Sequence, residues 1–479
     1  MDLPALERRL QKLQSILEVA KAMTAERQVG RLLGLVNDAA ARVAEADRCS
    51  IFVVDRDRGE LWTPVAHGTG EIRIPLGAGI AGAVAAAGRV VSIPDAYADP
   101  RFNPQVDAAT GYHTRDILCV PMSNTQGEVV GVIQALNRRD GAFGPEDQEL
   151  LSALAGPAAS AIENALLHEE IGRLFEGFVQ ASVVAIEARD PTTAGHSGRV
   201  ATLTTGLARA VEAAPPPAWR GVAFDAAALQ QLRYAALLHD FGKVGVREHV
   251  LVKADKLYPG QLELLGARFD LARAALENQR LRARLEGRAG EEAAAALARL
   301  EGFWELVLTA NRPSVLAEAA GQRLHELAAF AFPDARGALR PLLTPQELQL
   351  LTIPRGSLSD DERREIESHV THTFRFLSQI PWTRTLRRVP EIAYGHHEKL
   401  DGHGYPRAVP GPAIAVETRM MTIADIYDAL TASDRPYKRA LPAEKALDLL
   451  GDEARRGQVD QALLGVFVES GTWKSVLKA

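Results

Sequence analysis

The chain has 479 residues, 47% apolar and 24% charged, which is enough for two or three domains with their own cores and ordinary for a globular fold. Its formal net charge of −6 excludes a broad basic surface for duplex nucleic acid, while a local phosphate pocket stays open. The two cysteines, Cys49 and Cys119, exclude a disulfide scaffold. With no apolar run of about 18 residues and a charged start (MDLPALERRLQKLQ), no membrane span or signal peptide is expected, and the expected location is the cytoplasm.

Residues 1–25 are predicted to form an N-terminal helix from about residue 4, with Leu6, Leu10, Leu13, Leu17 and Ala20 at helical spacing. Such a stripe lies on its own domain or pairs with a second copy. From 26 to 165 the pattern is mixed. A helix from Leu32 to Ala44 precedes a strand from Cys49 to Val54, a turn at Asp55–Gly59 and a returning strand from Glu60. Gly77–Gly82 opens a small-residue helix, and strands are expected at Val90–Ile93, Ile117–Pro121 and Val129–Leu136. Strands flanked by helices indicate an α+β sensor domain.

That order resembles a GAF domain. The pieces are Gly79-Ile80-Ala81-Gly82, Ile93-Pro94-Asp95, Leu118-Cys119-Val120-Pro121 and Gly131-Val132-Ile133-Gln134-Ala135-Leu136-Asn137. Asn137, Arg138, Phe143 and Asp147 partly match the motif of cyclic-nucleotide-binding GAF domains, with Arg138 and Gln148 where that motif has Lys and Glu. An Arg138–Asp147 ion pair that only fixes a loop is the favoured reading, so the GAF ligand is unknown. Isolated His67 and His113 read as surface residues rather than haem ligands.

A connecting helix is predicted over 146–180, opened by Pro145-Glu146-Asp147 and carrying Leu151, Leu154, Ala158, Ile171, Leu174 and Phe178. Pro157 is a candidate kink. The stripe predicts a homodimer contact; the alternative is a helix that caps its own domain. The second domain is assigned to 175–479. Inside it, residues 255–358 are rich in Ala, Leu, Arg and Glu and read as a helical insertion: a hairpin broken at Gly287 and Gly290, more helix to about Phe330, then a Pro/Gly connection.

Chemistry-bearing residues lie on both sides of the insertion. An apolar helix from Leu229 runs into His239-Asp240-Phe241-Gly242-Lys243. After the insertion come His369 and His372 on one helix, then His396-His397-Glu398 with Asp401-Gly402-His403-Gly404-Tyr405-Pro406, then Asp425 and Asp428 on another helix, and a basic loop at Arg435-Pro436-Tyr437-Lys438. Imidazole and carboxylate together suit Fe, Mn or Zn, and a carboxylate can bridge two ions. Side chains converging from separate helices build such a cluster in a bundle, and two metals there would hydrolyse a phosphate ester. Gly402 and Gly404 are expected to allow backbone angles closed to other residues.

These motifs resemble the HD-GYP family, HD-superfamily phosphodiesterases that cleave the bacterial second messenger cyclic di-GMP to pGpG or GMP. The resemblance covers 175–254 and 359–470. It implies metal ligands His196, His239, Asp240, His369, His396, His397 and Asp425. Asp240 and Lys243 would be the catalytic groups. Lys243, Gly404, Tyr405, Pro406, Arg435 and Lys438 would hold the substrate. Some members carry a third-metal Glu where this chain has Thr192, so two divalent metals, Fe or Mn, are expected. A binding-only effector, or a hydrolase of cyclic GMP-AMP or another nucleotide, is the alternative. The expected fold class is multidomain: an α+β GAF sensor, a helical connector and an all-α metal-dependent hydrolase domain with a helical insertion.

Overall fold

The computed structural model describes residues 3–63, 71–190, 193–334, 336–432 and 440–477. It divides into two compact units, Met1–Gly177 and Phe178–Ala479.

The first unit starts with helices α1 (Leu3–Ala25) and α2 (Val29–Val43). Strands β1 (Ala46–Asp55), β2 (Glu60–Thr63) and β3 (Ile72–Pro75) follow. Then come α3 (Gly79–Ala87), β4 (Val91–Ile93), α4 (Pro104–Thr110), β5 (Ile117–Ser123) and β6 (Val129–Arg138). The strands form one antiparallel sheet in the order β3-β2-β1-β6-β5-β4. Alternation along β1 and β5 feeds two cores, because successive side chains in a strand point to opposite faces. Cys49, Ile51 and Val53, with Leu118, Val120 and Met122, pack under α1, α2 and the start of the next helix. Phe52, Ile117 and Cys119 pack under α3 on the other face. The cysteines are therefore buried, free and on opposite sides of the sheet.

Two short elements, β3 and α4, have no counterpart in the sequence reading. The second carried a usable signal: Asn103 caps it by accepting from the Gln105 N–H at 3.1 Å, and Pro104 opens it. The N-terminal helix forms, but its leucine stripe is not the packed face. Ile16 and Met23 are buried, whereas Leu6, Leu10, Leu13 and Leu17 are exposed. Both sets have helical spacing, and periodicity alone does not say which one a neighbour covers. The expected Arg138–Asp147 ion pair is present at 2.9 Å, and Asp147 also accepts from the Gly144 N–H, so the pair fixes the turn after β6. His113 is exposed, and His67 lies outside the described residues.

Helix α5 (Pro145–Arg189) has 45 residues and runs nine residues past the predicted end at 180. Nothing after Gly177 breaks it before Asp190-Pro191. Pro157 lies inside it. By length and composition α5 could cross a membrane, unlike the reading that found no such run, although half of its most apolar window is buried, as in a core helix.

In the second unit, α6 (His196–Ala213), α7 (Ala226–Leu238) and the short α8 (Glu248–Leu251) precede the insertion. The insertion holds α9 (Pro259–Leu285), α10 (Glu291–Asn311), α11 (Glu318–Ala328), strands β7 (Ala331–Pro333) and β8 (Leu339–Pro341), and α12 (Pro345–Leu351). The antiparallel β7–β8 hairpin and α12 replace the expected Pro/Gly connection, so the unit is not purely helical. Leu265, Phe269, Ala272 and Leu276 of α9 meet Leu300, Phe303 and Val307 of α10 in a core of their own. The chain then returns through α13 (Asp360–Leu377), α14 (Val389–Tyr394), α15 (Val416–Thr431), α16 (Ala443–Arg455) and α17 (Gln461–Glu469). Helices α6, α7, α13, α14 and α15 surround the polar cluster described next.

Candidate metal centre

His239 caps the C-terminus of α7, and its Nδ1–H donates to the Ala236 carbonyl at 2.7 Å. His369 on α13 does the same to Ile366 at 2.5 Å, and His396, just past α14, to Ala393 at 2.7 Å. In each case the carbonyl three residues back fixes the tautomer, so the Nε2 lone pair points inward. Among the described residues, all three Nε2 atoms are buried without a hydrogen-bond partner. Orphaned buried polar atoms are rare, because each forfeits its hydration.

Asp240 lies between them. Its Oδ1 is 3.2 Å from His369 Nε2, and its Oδ2 is 3.6 Å from His239 Nε2 and 3.8 Å from His196 Nε2. A carboxylate oxygen facing an imidazole lone pair without a proton between them is repulsive, and a cation between them turns the repulsion into ligation. Asp425 on α15 adds an oxygen 3.2 Å from His196 Nε2 and 3.8 Å from His239 Nε2. Three donor groups result: His369, His396 and His397; His196, His239 and Asp240; and His239, His396 and Asp425. Within each, the donor atoms lie within 4.8 Å of one another. These residues fit divalent metal on their own chemistry, a set of neutral imidazoles and carboxylates.

At His396 and His397 the electrostatics agree, whereas without metal His196 keeps a proton at neutral pH. Burial, reinforced by neighbouring imidazoles, holds His396 well below its usual range. Burial likewise takes His397 down to about 3 against the pull of Asp425. Burial opposes charge on His196, but hydrogen bonds and charges from Asp425 and Asp428 raise it to about 9. Against the cost of burial, Lys243 and the histidines keep Asp240 well below the usual carboxylate range.

Supporting residues lock this geometry. Asp428 accepts from His196 Nδ1 at 2.7 Å and from Arg199 Nε at 2.6 Å. The buried Thr373 hydroxyl accepts from the Gly242 N–H at 2.8 Å and donates to the His239 carbonyl at 2.9 Å, tying the turn after α7 to α13. Gly242 is required there, because a Cβ would come within 1.9 Å of the His369 carbonyl oxygen. Thr422 of α15 donates to the His396 carbonyl.

His396 and His397 lie in the turn after α14 rather than on a helix. Glu398 is buried but faces away from the cluster, accepting from the Arg407 and Val409 N–H groups to close the loop. Gly402 has the expected positive φ of 78°. Gly404 does not; it is needed for close approach, since a Cβ would lie 2.3 Å from the Lys399 nitrogen. That approach sets the Tyr405 ring 4.7 Å from the His397 ring, with Pro406 half-buried beside it.

All seven expected ligands thus converge, with Lys243 Nζ 2.7 Å from Asp240 Oδ2. Arg435, Lys438 and Thr192 lie outside the described residues. His403 is exposed, and His372 packs beside Gly245. Sequence reasoning left Asp190 and Arg199 without a role, yet Asp190 lies 3.3 Å from Lys243 Nζ. Nothing local marks the role of either residue, since Lys243 and Asp428 are distant in sequence.

Comparison with known proteins agrees with both units. A GAF-domain family model matches residues 30–162, and two HD-domain family models match 193–336 and 335–463. A dual 3',5'-cyclic-AMP and -GMP phosphodiesterase 11A of Takifugu rubripes is 38% identical over 141 residues, 26% of this chain and 16% of that protein. A probable 3',5'-cyclic phosphodiesterase pde-5 of Caenorhabditis elegans is 35% identical over 148 residues, 28% of this chain and 20% of that protein. The chain therefore spans a fifth or less of these relatives' lengths. The solved GAF domain of a phosphoenolpyruvate-protein phosphotransferase from Coxiella burnetii is 21% identical, covers 34% of this chain and 98% of its own, and has a TM-score of 0.31. By its family matches and its two units, the chain is a GAF domain followed by an HD-domain region.

Proposed function

We propose that this chain is a metal-dependent phosphodiesterase of the HD-GYP type that hydrolyses cyclic di-GMP to pGpG under the control of its GAF domain. The observation that carries the proposal is the set of three orphaned, inward-facing Nε2 atoms of His239, His369 and His396 around Asp240. The Gly404–Pro406 loop beside His397 supports the cyclic dinucleotide reading.

His196, His239, Asp240, His369, His396, His397 and Asp425 would hold two divalent ions, Fe or Mn. Bound metals supply an activated water and neutralise phosphoryl charge. Asp240, with Oδ1 toward His369 and Oδ2 toward His239, would help to hold the ions. Lys243 brings positive charge to the phosphate oxygens as negative charge builds in the transition state. Asp428 and Arg199 hold His196 in one orientation. Tyr405 would lie beside the substrate, next to His397, and the family resemblance assigns phosphate binding to Arg435 and Lys438, which lie outside the described residues. Cleavage of one diester leaves the linear pGpG. The connecting helix is the dimer contact, supported by exposed Leu167, Ile171 and Leu174 at alternating four- and three-residue spacing on α5. The protein works in the cytoplasm.

A second reading is hydrolysis of a 3',5'-cyclic mononucleotide, the activity in the relatives' names. A substrate panel separates the two. The full chain, loaded anaerobically with Fe(II) or Mn(II), is given cyclic di-GMP, cyclic GMP-AMP, cyclic AMP and cyclic GMP, and products are resolved by chromatography. Release of pGpG with the mononucleotides untouched supports the proposal. Turnover of cyclic AMP or cyclic GMP alone replaces it with the second reading.

A further inference from the structure

We propose that Asp190, at the end of α5, is a positioning residue that holds Lys243 toward the substrate phosphate. The proposal rests on the reading of Lys243 as the phosphate-facing cation. Asp190 is buried, and its carboxylate Oδ2 lies 3.3 Å from Lys243 Nζ. Its backbone is fixed on both sides: the Asp190 N–H donates to Ile186, and its carbonyl accepts from the Thr193 N–H and hydroxyl.

Lys243 thus faces a second carboxylate beside Asp240. Its ammonium is 2.7 Å from Asp240 Oδ2, the same oxygen that faces His196 and His239. A metal bound at that oxygen would weaken, without abolishing, the charge it offers the lysine, since ligating carboxylates still accept hydrogen bonds. Among the described residues, Asp190 belongs to none of the candidate donor groups, and its carboxylate lies within ion-pair distance of the lysine. Burying a carboxylate beside an ammonium costs solvation that a purely structural site could avoid with apolar side chains. The neighbouring residues of α5 reinforce the arrangement. Glu187 accepts from the Gly195 N–H just before His196, while Arg189 donates to the Val246 carbonyl and pairs with Glu248. The last turn of α5 thus holds the start of α6 and the lysine-bearing turn together. The same helix begins within the residues matched by the GAF family model.

The test uses the metal-loaded full chain and Asp190→Asn, which removes the charge at almost constant shape, with Asp190→Glu as the conservative variant. Lys243 is probed with an amine-acylating reagent and read by mass spectrometry. Kinetics use whichever cyclic nucleotide the wild type turns over. Asp190→Asn should raise the Lys243 acylation rate several-fold and lower kcat on the order of 10–100-fold, as expected for a misplaced reacting group. KM and metal per chain should stay within about twofold, and Asp190→Glu should recover part of kcat. Unchanged acylation of Lys243, or a kcat loss that merely follows metal loss, overturns the proposal. If the wild type turns over no cyclic nucleotide, the functional reading fails separately, and the acylation result still decides the role of Asp190.

Discussion

At the scale of single residues, the site is a set of histidines aimed by their own backbones. A carbonyl three residues back fixes the tautomer of His239, His369 and His396, so each arrives with its lone pair pointing inward. Thr373 shows how few groups hold that aim. Thr373→Val keeps the shape but strips partners from the buried Gly242 N–H and the His239 carbonyl. It should destabilise the second unit by about 1–3 kcal/mol for each group left unpaired, read as a lowered denaturant midpoint. An unchanged midpoint would show that these groups find other partners. The imidazoles also give the metal-free protein a pH signature. His397, lowered to about 3 from 6.5, stays neutral when folded and takes up a proton on unfolding, so stability falls as pH drops from 6.5 toward 3. His196, raised to about 9, contributes stability that is full below 6.5 and lost as pH rises toward 9. Metal-free melting curves should peak near neutral pH, and His196→Gln should flatten only the alkaline side; a loss confined to the acid side would contradict the assignment. A His-Asp pair alone is common by chance; it stood out here because Gly242-Lys243 follows it and His396-His397-Glu398 comes later, and the full candidate ligand set came only from the family resemblance. Glu398 had no assigned role, and its position beside two histidines does not reveal that it binds loop backbone. Asp190 was invisible because its role depends on a partner 53 residues away.

At the scale of elements, strands and helices with strong patterns were readable, and the short ones were not. Strand β1 and the start of α5 carry clear alternation and capping signals. Strand β3 is an edge strand of four residues, and β7 and β8 have three each, too short for a period to show. The α1 leucines show the limit of periodicity: the spacing is helical, but Ile16 and Met23 take the buried side. Exposed Leu167, Ile171 and Leu174 on α5 lead to an interface prediction. Ile171→Glu with Leu174→Glu should convert a dimer to a monomer in sedimentation analysis, and an unchanged sedimentation coefficient would remove α5 as the contact. The insertion gives a second prediction. Phe303 packs in a core separate from the metal cluster, so Phe303→Ala should cost about 3–5 kcal/mol locally while metal per chain is unchanged. Metal loss in that variant would mean that the insertion supports the site.

At the scale of the whole molecule, a GAF domain is joined in sequence by one long helix to an HD-domain region whose candidate metal donors come from both sides of a 104-residue insertion (255–358). The domain order was legible because each part has its own composition, whereas the reach of α5 to Arg189 depended on what stops a helix rather than on what starts one. The central claim is that the buried imidazoles and Asp240 exist to hold metal. The measurement that tests it most directly is metal content per chain in anaerobically purified wild type and Asp240→Ala, with the fold of the GAF domain checked by its own melting transition. The expected result is about two divalent ions in the wild type, loss of metal in the variant, turnover reduced on the order of 10²–10³-fold, and an intact GAF transition. A wild type without metal, or a variant that keeps both metal and turnover, would contradict it.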